Sequence, residues 1–177
     1  IKIAPFDRYA TLDVVRAVAE SGRAGEIALY TGNDDSFVFD LLTPFAVSVF
    51  GTTVELRIVG GLLGQWACWT RRAVELLERI RECRSGAGGI PGDLMTSAAR
   101  LTEANPAIFD GAHGFAGCIP GIHRVLWGQG LLQGVWCLDP AERLSPGQAE
   151  EIERVRKAYP GLCDDAFVAR HRDEWLT

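Results

Sequence analysis

The sequence predicts an α/β fold with a parallel sheet, followed by a helical carboxy-terminal region. Three short apolar runs, residues 1–4, 26–30 and 54–59, have the length and composition of β-strands and recur at about the spacing of a βα unit. Each run is followed by a loop and then by a helical pattern of apolar residues. Such alternation is typical of parallel sheets with helical crossovers.

The first part of the chain is predicted to contain three helices and one extra extended segment. The first helix is predicted over residues 12–20, with Thr11 as its N-cap. The second begins near Asp34, and the third covers residues 71–83. Between the second helix and the third strand, residues 43–53 alternate apolar with small side chains, which indicates an extra strand or a hairpin.

A glycine-rich connector over residues 85–92 ends the alternation, and only helices are predicted after it. Ser145 is predicted to cap one of these helices, with Pro146 in its first turn. The domain prediction is therefore βα units over residues 1–84 and a helical region over residues 85–177. The predicted carboxy-terminal helices cover residues 93–103, 106–113, 122–127, 145–158 and 165–172.

Composition excludes several classes of function. The 177 residues are 47% hydrophobic and 23% charged with a net charge of −5, which is the balance of a globular protein with one core. Basic residues form no stripe, so we expect no nucleic-acid partner. No apolar run reaches the roughly 20 residues of a membrane span, so we expect no membrane partner. Five widely spaced cysteines without a C-x-x-C pattern indicate reduced thiols and a cytoplasmic location.

Lys2 is the residue with the most informative chemistry. It lies between two isoleucines in the first predicted strand, and lysine is rarely buried without a partner. Burial would lower the pKa of its ammonium group toward a neutral, nucleophilic amine. The alternative, which the residues alone favour, is a lysine at a strand end whose ammonium group reaches water.

Two loops after predicted strands are candidate binding sites, because ligands lie at the carboxyl ends of the strands in parallel βα folds. In the first loop, Gly32 allows close approach to the backbone, and Asn33 or Asp34 is placed to cap the next helix beside an anion site. In the second loop, Gly60 and Gly61 leave room for a substrate. A capped turn and close packing of strand on helix explain the same residues equally well.

Other polar residues are candidates for accessory roles or for metal binding. Tyr9 is a candidate proton shuttle and Arg8 a candidate carboxylate ligand, although an Asp7–Arg8 pair that tethers the loop is the simpler interpretation. His113 and His123 fit no structural zinc pattern, so no metal is expected.

Four motifs in order resemble a known family. They are IKI at residues 1–3, LYTGNDD at 29–35, RIVGG at 57–61 and EANP at 103–106. The chain resembles the carboxy-terminal part of proteins of the dihydrodipicolinate synthase / N-acetylneuraminate lyase superfamily. Two further segments, KIAPFDRY and GFAGCIPGIH, are similar to an uncharacterised dihydrodipicolinate synthase-like branch. The resemblance covers most of the chain up to about Pro106 and continues loosely as a helical region.

The resemblance implies a fold and an activity. The fold would be the last three βα units of a (β/α)8 TIM barrel followed by a helical domain. Lys2 would be the Schiff-base lysine on the sixth barrel strand, and residues 32–35 and 60–61 would border the substrate pocket. The activity would be that of a class I aldolase or lyase on an α-keto acid such as pyruvate, with no cofactor. We expect a homo-oligomer when full length and an inactive protein for the isolated 177 residues.

Departures from the family pattern keep two alternatives open. Ile3 follows the lysine where the family usually has an acidic residue, and Asp110 stands where the family often has a lysine. The family's catalytic tyrosine lies on an earlier strand outside this sequence. One alternative is a non-catalytic or degenerate barrel that binds a small carboxylate or sugar. The other is a metal-assisted hydrolase that uses Asp34, Asp35 and His113.

Overall fold

A computed structural model describes residues 1–86 and 88–177. The described chain forms two compact units, and the first contains all the strands whereas the second is helical. The mixed α/β class is therefore confirmed. The first unit comprises Ile1–Leu63 and Leu77–Ile90, and the second comprises Gly64–Leu76 and Pro91–Thr177.

The regular elements are five strands and seven α-helices in the described residues. The strands are β1 Lys2–Ile3, β2 Leu29–Thr31, β3 Phe45–Val49, β4 Thr52–Leu56 and β5 Ile58–Gly61. The helices are α1 Arg8–Glu20, α2 Phe37–Leu42, α3 Thr70–Ser85, α4 Gly92–Phe109, α5 Cys118–Gly128, α6 Gln148–Ala158 and α7 Asp165–Trp175.

Three strands form the predicted parallel sheet, in the order β1-β2-β5. Strand β2 pairs with both neighbours in parallel, as the alternation of strands and helices predicted. Ile3, Leu29 and Ile58 are buried, so one side of the sheet contributes to the core of the first unit. Among the described residues, no helix combines the length and the apolar character that crossing a membrane requires.

The third predicted strand is in fact two strands. Residues 52–56 form β4, which pairs antiparallel with β3, and Arg57 separates β4 from β5. The extra strand or hairpin expected over residues 43–53 is thus a hairpin, and its second strand extends to Leu56. Its turn contains Phe50 and Gly51, both with positive φ, as two-residue hairpin turns of type I′ require. The apolar pattern continues from β4 into β5. It therefore does not show that β4 pairs with β3 whereas β5 pairs with β2.

The predicted beginnings of the first two helices are wrong. Helix α1 is capped by Asp7, whose carboxylate accepts the N–H groups of Tyr9 (2.8 Å) and Ala10 (3.4 Å). Thr11 lies inside the helix, and its hydroxyl donates to the carbonyl of Asp7. Asp7 is the better cap because it lies one position before the helix, where its side chain reaches the free N–H groups. Helix α2 begins at Phe37, later than predicted.

The helix predicted to end before Pro106 continues through it to Phe109. The side-chain amide of Gln148 donates to the carbonyls of Ala107 (3.4 Å) and Ile108 (3.1 Å) near the end of α4. A helix end needs such donors because its last carbonyls have no partner within the helix. This cap comes from a residue about forty positions away, so no local pattern could predict it.

Ser145 is not the N-cap of the helix that follows it. Helix α6 begins at Gln148 and is preceded by Gly147, which has a φ of 82°. The hydroxyl of Ser145 instead donates to Asp110 at 2.5 Å. Ser145 therefore binds a carboxylate that is distant in sequence, whereas the Ser-Pro pattern predicted that it would cap the following helix.

Candidate functional site

The carboxyl edge of the parallel sheet brings several predicted site residues together. Gly32 directly follows β2, and Gly61 ends β5 in register with Thr31. A Cβ atom built on Gly32 would lie 2.5 Å from Cε of Lys2 and 2.7 Å from Cβ of Ala4. The side chain of Lys2 therefore extends over Gly32, and only glycine leaves it room to do so.

One face of the same sheet carries Lys2 and Tyr30. Lys2 is in register with Tyr30, and Tyr30 is in register with Gly60, so the three positions share one face. Lys2 and Tyr30 are exposed, whereas Ile3 and Thr31 on the opposite face are buried. A Cβ atom on Gly60 would lie 2.9 Å from Cε1 of Tyr30, so the tyrosine ring lies over this glycine.

Lys2 is exposed in the described chain, which matches the interpretation of a strand-end lysine whose ammonium group reaches water and not that of a buried amine. The physical reason is that the rest of the first unit packs on only one face of this open sheet of three strands. No carboxylate among the described residues pairs with the Lys2 ammonium group. An amine of this kind is free to contact a small molecule at the sheet edge.

A buried carboxylate that was not predicted from the sequence organises the loop after β2. Asp40 in α2 is fully buried and forms an ion pair with Arg8. Its Oδ2 atom accepts hydrogen bonds from the Thr31 hydroxyl at 2.7 Å and from the Asn33 amide at 3.0 Å. An acidic residue within the apolar FVFDLL helix was the available signal, because buried charges need partners.

Asn33 uses its whole side chain to hold this loop in place. Its amide nitrogen donates to Asp40 and to the Thr11 hydroxyl at 3.1 Å, and its oxygen accepts the N–H of Phe6 at 3.1 Å. Asn33 is 1% exposed, and it does not cap the next helix as proposed from the sequence. In the described chain, its side chain joins the loop after β2 to the loop after β1, to α1 and to α2.

The accessory residues of the first loop have structural partners or face the solvent. Asp7 caps α1, and Arg8 tethers the loop through Asp40 rather than through Asp7. The simpler interpretation, in which Arg8 tethers the loop, therefore holds, but the acidic partner is Asp40 and not Asp7. Tyr9 is 83% exposed, and Asp34 is half-buried in the second loop.

A second polar cluster lies in the second unit around Asp110, which is 3% exposed. Its carboxylate accepts the Ser145 hydroxyl and the N–H of Gly117 (2.8 Å), and it contacts Nδ1 of His113 at 2.6 Å. Burial raises the pKa of Asp110, but hydrogen bonds from Ser145, His113 and Gly117 outweigh burial and leave that pKa below its ordinary value.

This second cluster does not have the geometry of a nucleophile activated by a base. Ser145 and His113 both contact Asp110, on different oxygens, whereas a serine nucleophile needs its base within hydrogen-bond distance. Within the described part of the chain, no group of three or more His, Cys, Asp or Glu side chains is arranged to hold a metal ion. The cluster instead joins the end of α4 to the segments before α5 and α6.

Comparisons with known proteins identify no relatives. No family model matches the chain, and no curated protein and no solved structure matches it. The family resemblance therefore stays a prediction that rests on the sequence motifs alone.

Proposed function

We propose that the protein is a Schiff-base-forming lyase or aldolase of the class I type that acts on an α-keto acid such as pyruvate. The observation that carries this proposal is the position of Lys2. It lies on the exposed face of a parallel strand, and its side chain extends over Gly32 at the edge where ligands bind in βα folds.

The chemistry requires a primary amine and no metal or dissociable cofactor. The neutral amine of Lys2 attacks the keto carbon, water leaves, and an imine forms. The protonated imine withdraws electrons from the adjacent carbon, where a C–C bond is formed or broken. The proposed fold is consistent with this role, because consecutive parallel strands that lie side by side are the arrangement found in a (β/α)8 barrel.

The proposal requires that further protein cover the face that carries Lys2. The covering strands would come from the same polypeptide or from another copy of it. Enclosure would exclude water, which otherwise hydrolyses imines, and would strengthen electrostatic contacts to the substrate.

Borohydride trapping with pyruvate tests the proposal. Reduction converts the imine to a stable secondary amine, and mass spectrometry then locates the added three-carbon acid. The sequence provides an internal control, because its other lysine, Lys157, is 75% exposed and pairs with Glu153. We expect the adduct on Lys2 and not on Lys157, and its loss in Lys2→Arg. No adduct on Lys2 across a panel of keto acids would refute the lyase assignment.

The exposure of Lys2 also favours a second candidate function, the non-catalytic binding of a small carboxylate. In that case the ammonium group would act only as a positive charge, which arginine also provides. A carboxylate that raises the melting temperature equally in the wild type and in Lys2→Arg, without a trapped adduct, would identify this function.

A further inference from the structure

A cavity of about 380 Å³ lies in the second unit, between the beginning of α3 and α7. Arg71, Arg72, Arg170 and His171 line it. The side chains of Arg71 and Arg72 are about half-exposed, so the cavity is open to dissolved molecules. Its volume is in the lower part of the range found for small-molecule sites in proteins.

The charge of this cavity is opposite in sign to the charge of the whole chain. The chain has a net charge of −5, whereas three arginines in the cavity lining face only two carboxylates, those of Glu75 and Asp164. The lining is therefore positive even when His171 is neutral. A positive cavity in an acidic protein favours an anionic ligand.

Both carboxylates of the lining are bound to groups of the protein. Glu75 accepts hydrogen bonds from Nε of Arg71 and from Nη1 of Arg72, each at 2.8 Å, and so holds the two guanidinium groups side by side. The buried carboxylate of Asp164 accepts the N–H of Arg71 (2.9 Å) and the side-chain amide of Gln129 (2.7 Å). Two of the three arginines are therefore held in place before a ligand binds, which lowers the entropic cost of binding.

The arginines also keep N–H groups with which to bind a ligand. Among the described residues, hydrogen bonds use Nε of Arg71, Nε and Nη1 of Arg72, and Nε of Arg170. The Nη atoms of Arg71 and Arg170 have no partner in that part of the chain. A guanidinium group binds phosphate oxygens through two parallel N–H···O bonds, and several arginines can share one phosphate group.

We infer that this cavity binds a phosphate group, either as free phosphate or as the ester of a small molecule. The inference concerns the second unit and goes beyond the function proposed for Lys2, on which it does not depend.

An aromatic ring beside the arginines offers an apolar surface to the organic part of an ester. The guanidinium carbon of Arg71 lies 5.5 Å from the centre of the Phe167 ring, which is a cation–π contact. Arg170 and His171 follow Phe167 by three and four positions in α7, so the three side chains share one face of that helix. The cavity thus combines cations with an apolar side.

The cysteine in the lining does not attack the phosphate group. Burial raises the pKa of the Cys163 thiol to about 12, so the thiol is protonated at neutral pH, whereas the nucleophile is the thiolate. The carbonyl oxygen of Cys163 instead accepts a hydrogen bond from Nε of Arg72 at 3.2 Å. The site therefore binds the phosphate group and does not cleave it.

Isothermal titration calorimetry of the full-length protein tests this site, with inorganic phosphate and phenyl phosphate as the two probes. Arg170→Gln removes one guanidinium group. Because Arg170 is exposed and forms a single hydrogen bond in the described chain, the variant should keep its fold. Arg154→Gln is the matched control, since Arg154 is 48% exposed, lies outside the cavity and pairs with Glu103 and Glu151 in the same unit.

We expect Arg170→Gln to weaken the binding of both probes by about 10-fold to 100-fold, because hydrogen bonds to a charged group are lost. Arg170→Lys should give a smaller loss, since lysine keeps the charge but cannot form two parallel hydrogen bonds. Arg154→Gln should stay within about twofold of the wild type in about 0.15 M NaCl, which screens distant exposed charges. Equal melting temperatures would show that the variants are folded.

The two probes distinguish the sources of the phosphate group. Tighter binding of phenyl phosphate would identify an ester as the ligand, and tighter binding of inorganic phosphate would identify the free ion; both results support the site. The inference is overturned if neither probe shows saturable binding to the wild type. It is also overturned if Arg170→Gln loses no more affinity than Arg154→Gln, because binding would then follow the net charge of the protein and not the cavity.

Discussion

Asp40 in the first unit and Asp110 in the second are both buried carboxylates, but their partners differ in kind. Asp40 is paired with the guanidinium group of Arg8 and also accepts hydrogen bonds from the side chains of Thr31 and Asn33. Asp110 accepts a hydroxyl and a backbone N–H, and its other oxygen contacts Nδ1 of the His113 ring.

This difference indicates how much stability each unit would lose without its buried carboxylate. Thr31 and Asn33 are themselves buried, so they would lose a partner that water does not easily replace. In the second unit, Ser145 is only partly buried and His113 is 45% exposed, so water can compensate for part of the loss. Asp40 also supports the loop that contains Gly32, whereas Asp110 joins the end of α4 to the segments before α5 and α6.

The largest effect is expected for Asp40→Ala. The change leaves the Thr31 hydroxyl and the Asn33 amide without their shared acceptor, at about 1–3 kcal/mol for each unsatisfied group. The ion pair with Arg8 adds little, because that side chain is 44% exposed. We expect the free energy of unfolding to fall by about 2–6 kcal/mol in urea titrations followed by circular dichroism.

The control for this variant is Asp13→Ala, which removes a carboxylate from α1 that is 72% exposed and pairs with Arg16. This change should alter stability by no more than about 0.5 kcal/mol. A loss below about 1 kcal/mol for Asp40→Ala would show that the buried network does not hold the loop.

A smaller effect is expected for Asp110→Asn. Asp110 has φ 61° and ψ 46°, a left-handed conformation that asparagine also adopts readily, so the backbone should not change. The amide oxygen still accepts hydrogen bonds from Ser145 and Gly117 but without the negative charge that strengthens them. We expect a loss of about 1–2 kcal/mol in the same urea titrations.

Asp139→Asn is the matched control for the second unit, because the exposed carboxylate of Asp139 also accepts a backbone N–H, from Ala141. If both asparagine variants lose the same small amount of stability, the burial of Asp110 has no energetic consequence. If Asp110→Asn instead costs more than Asp40→Ala, the ranking of the two units is wrong.

The features of both units that depend on residues close together in the sequence were predictable. The parallel sheet, the hairpin at residues 43–53 and helix α3 follow from apolar periodicity and turn residues, which are local signals. In the candidate site, Lys2 and Gly32 were chosen because they occupy a strand and the loop at a strand end. The structure brings these two residues into contact.

The features that were missed depend on contacts between distant residues. Asp40 contacts Arg8 across 32 positions, Gln148 reaches the end of α4 from 40 positions away, and Ser145 donates to Asp110 across 35 positions. The position of Tyr30 beside Lys2 was missed for a related reason. It depends on the strand register, and a shift of that register by one residue would place Tyr30 on the opposite face of the sheet.

The smallest effect is expected for the pH dependence of the stability of the second unit. The pKa of Asp110 is lower in the folded protein than its ordinary value of about 3.9, so folding favours the ionised form. This contribution is fully present above pH about 4 and is lost as the pH falls through the lowered pKa of the folded state. The stability difference between the wild type and Asp110→Asn should therefore narrow as the pH falls from 7 toward 3.

Urea titrations at several pH values between 7 and 3 measure this narrowing. Both proteins should also carry His113→Gln, so that protonation of the neighbouring ring makes no contribution. Asp139→Asn in the same background serves as the control variant with an exposed carboxylate. A wild-type advantage that stays constant down to pH 3 would mean that the hydrogen bonds to Asp110 do not depend on its charge. The cluster around Asp110 would then contribute through packing and hydrogen bonds that need no charge, and the contrast with the ion-paired Asp40 would be greater still.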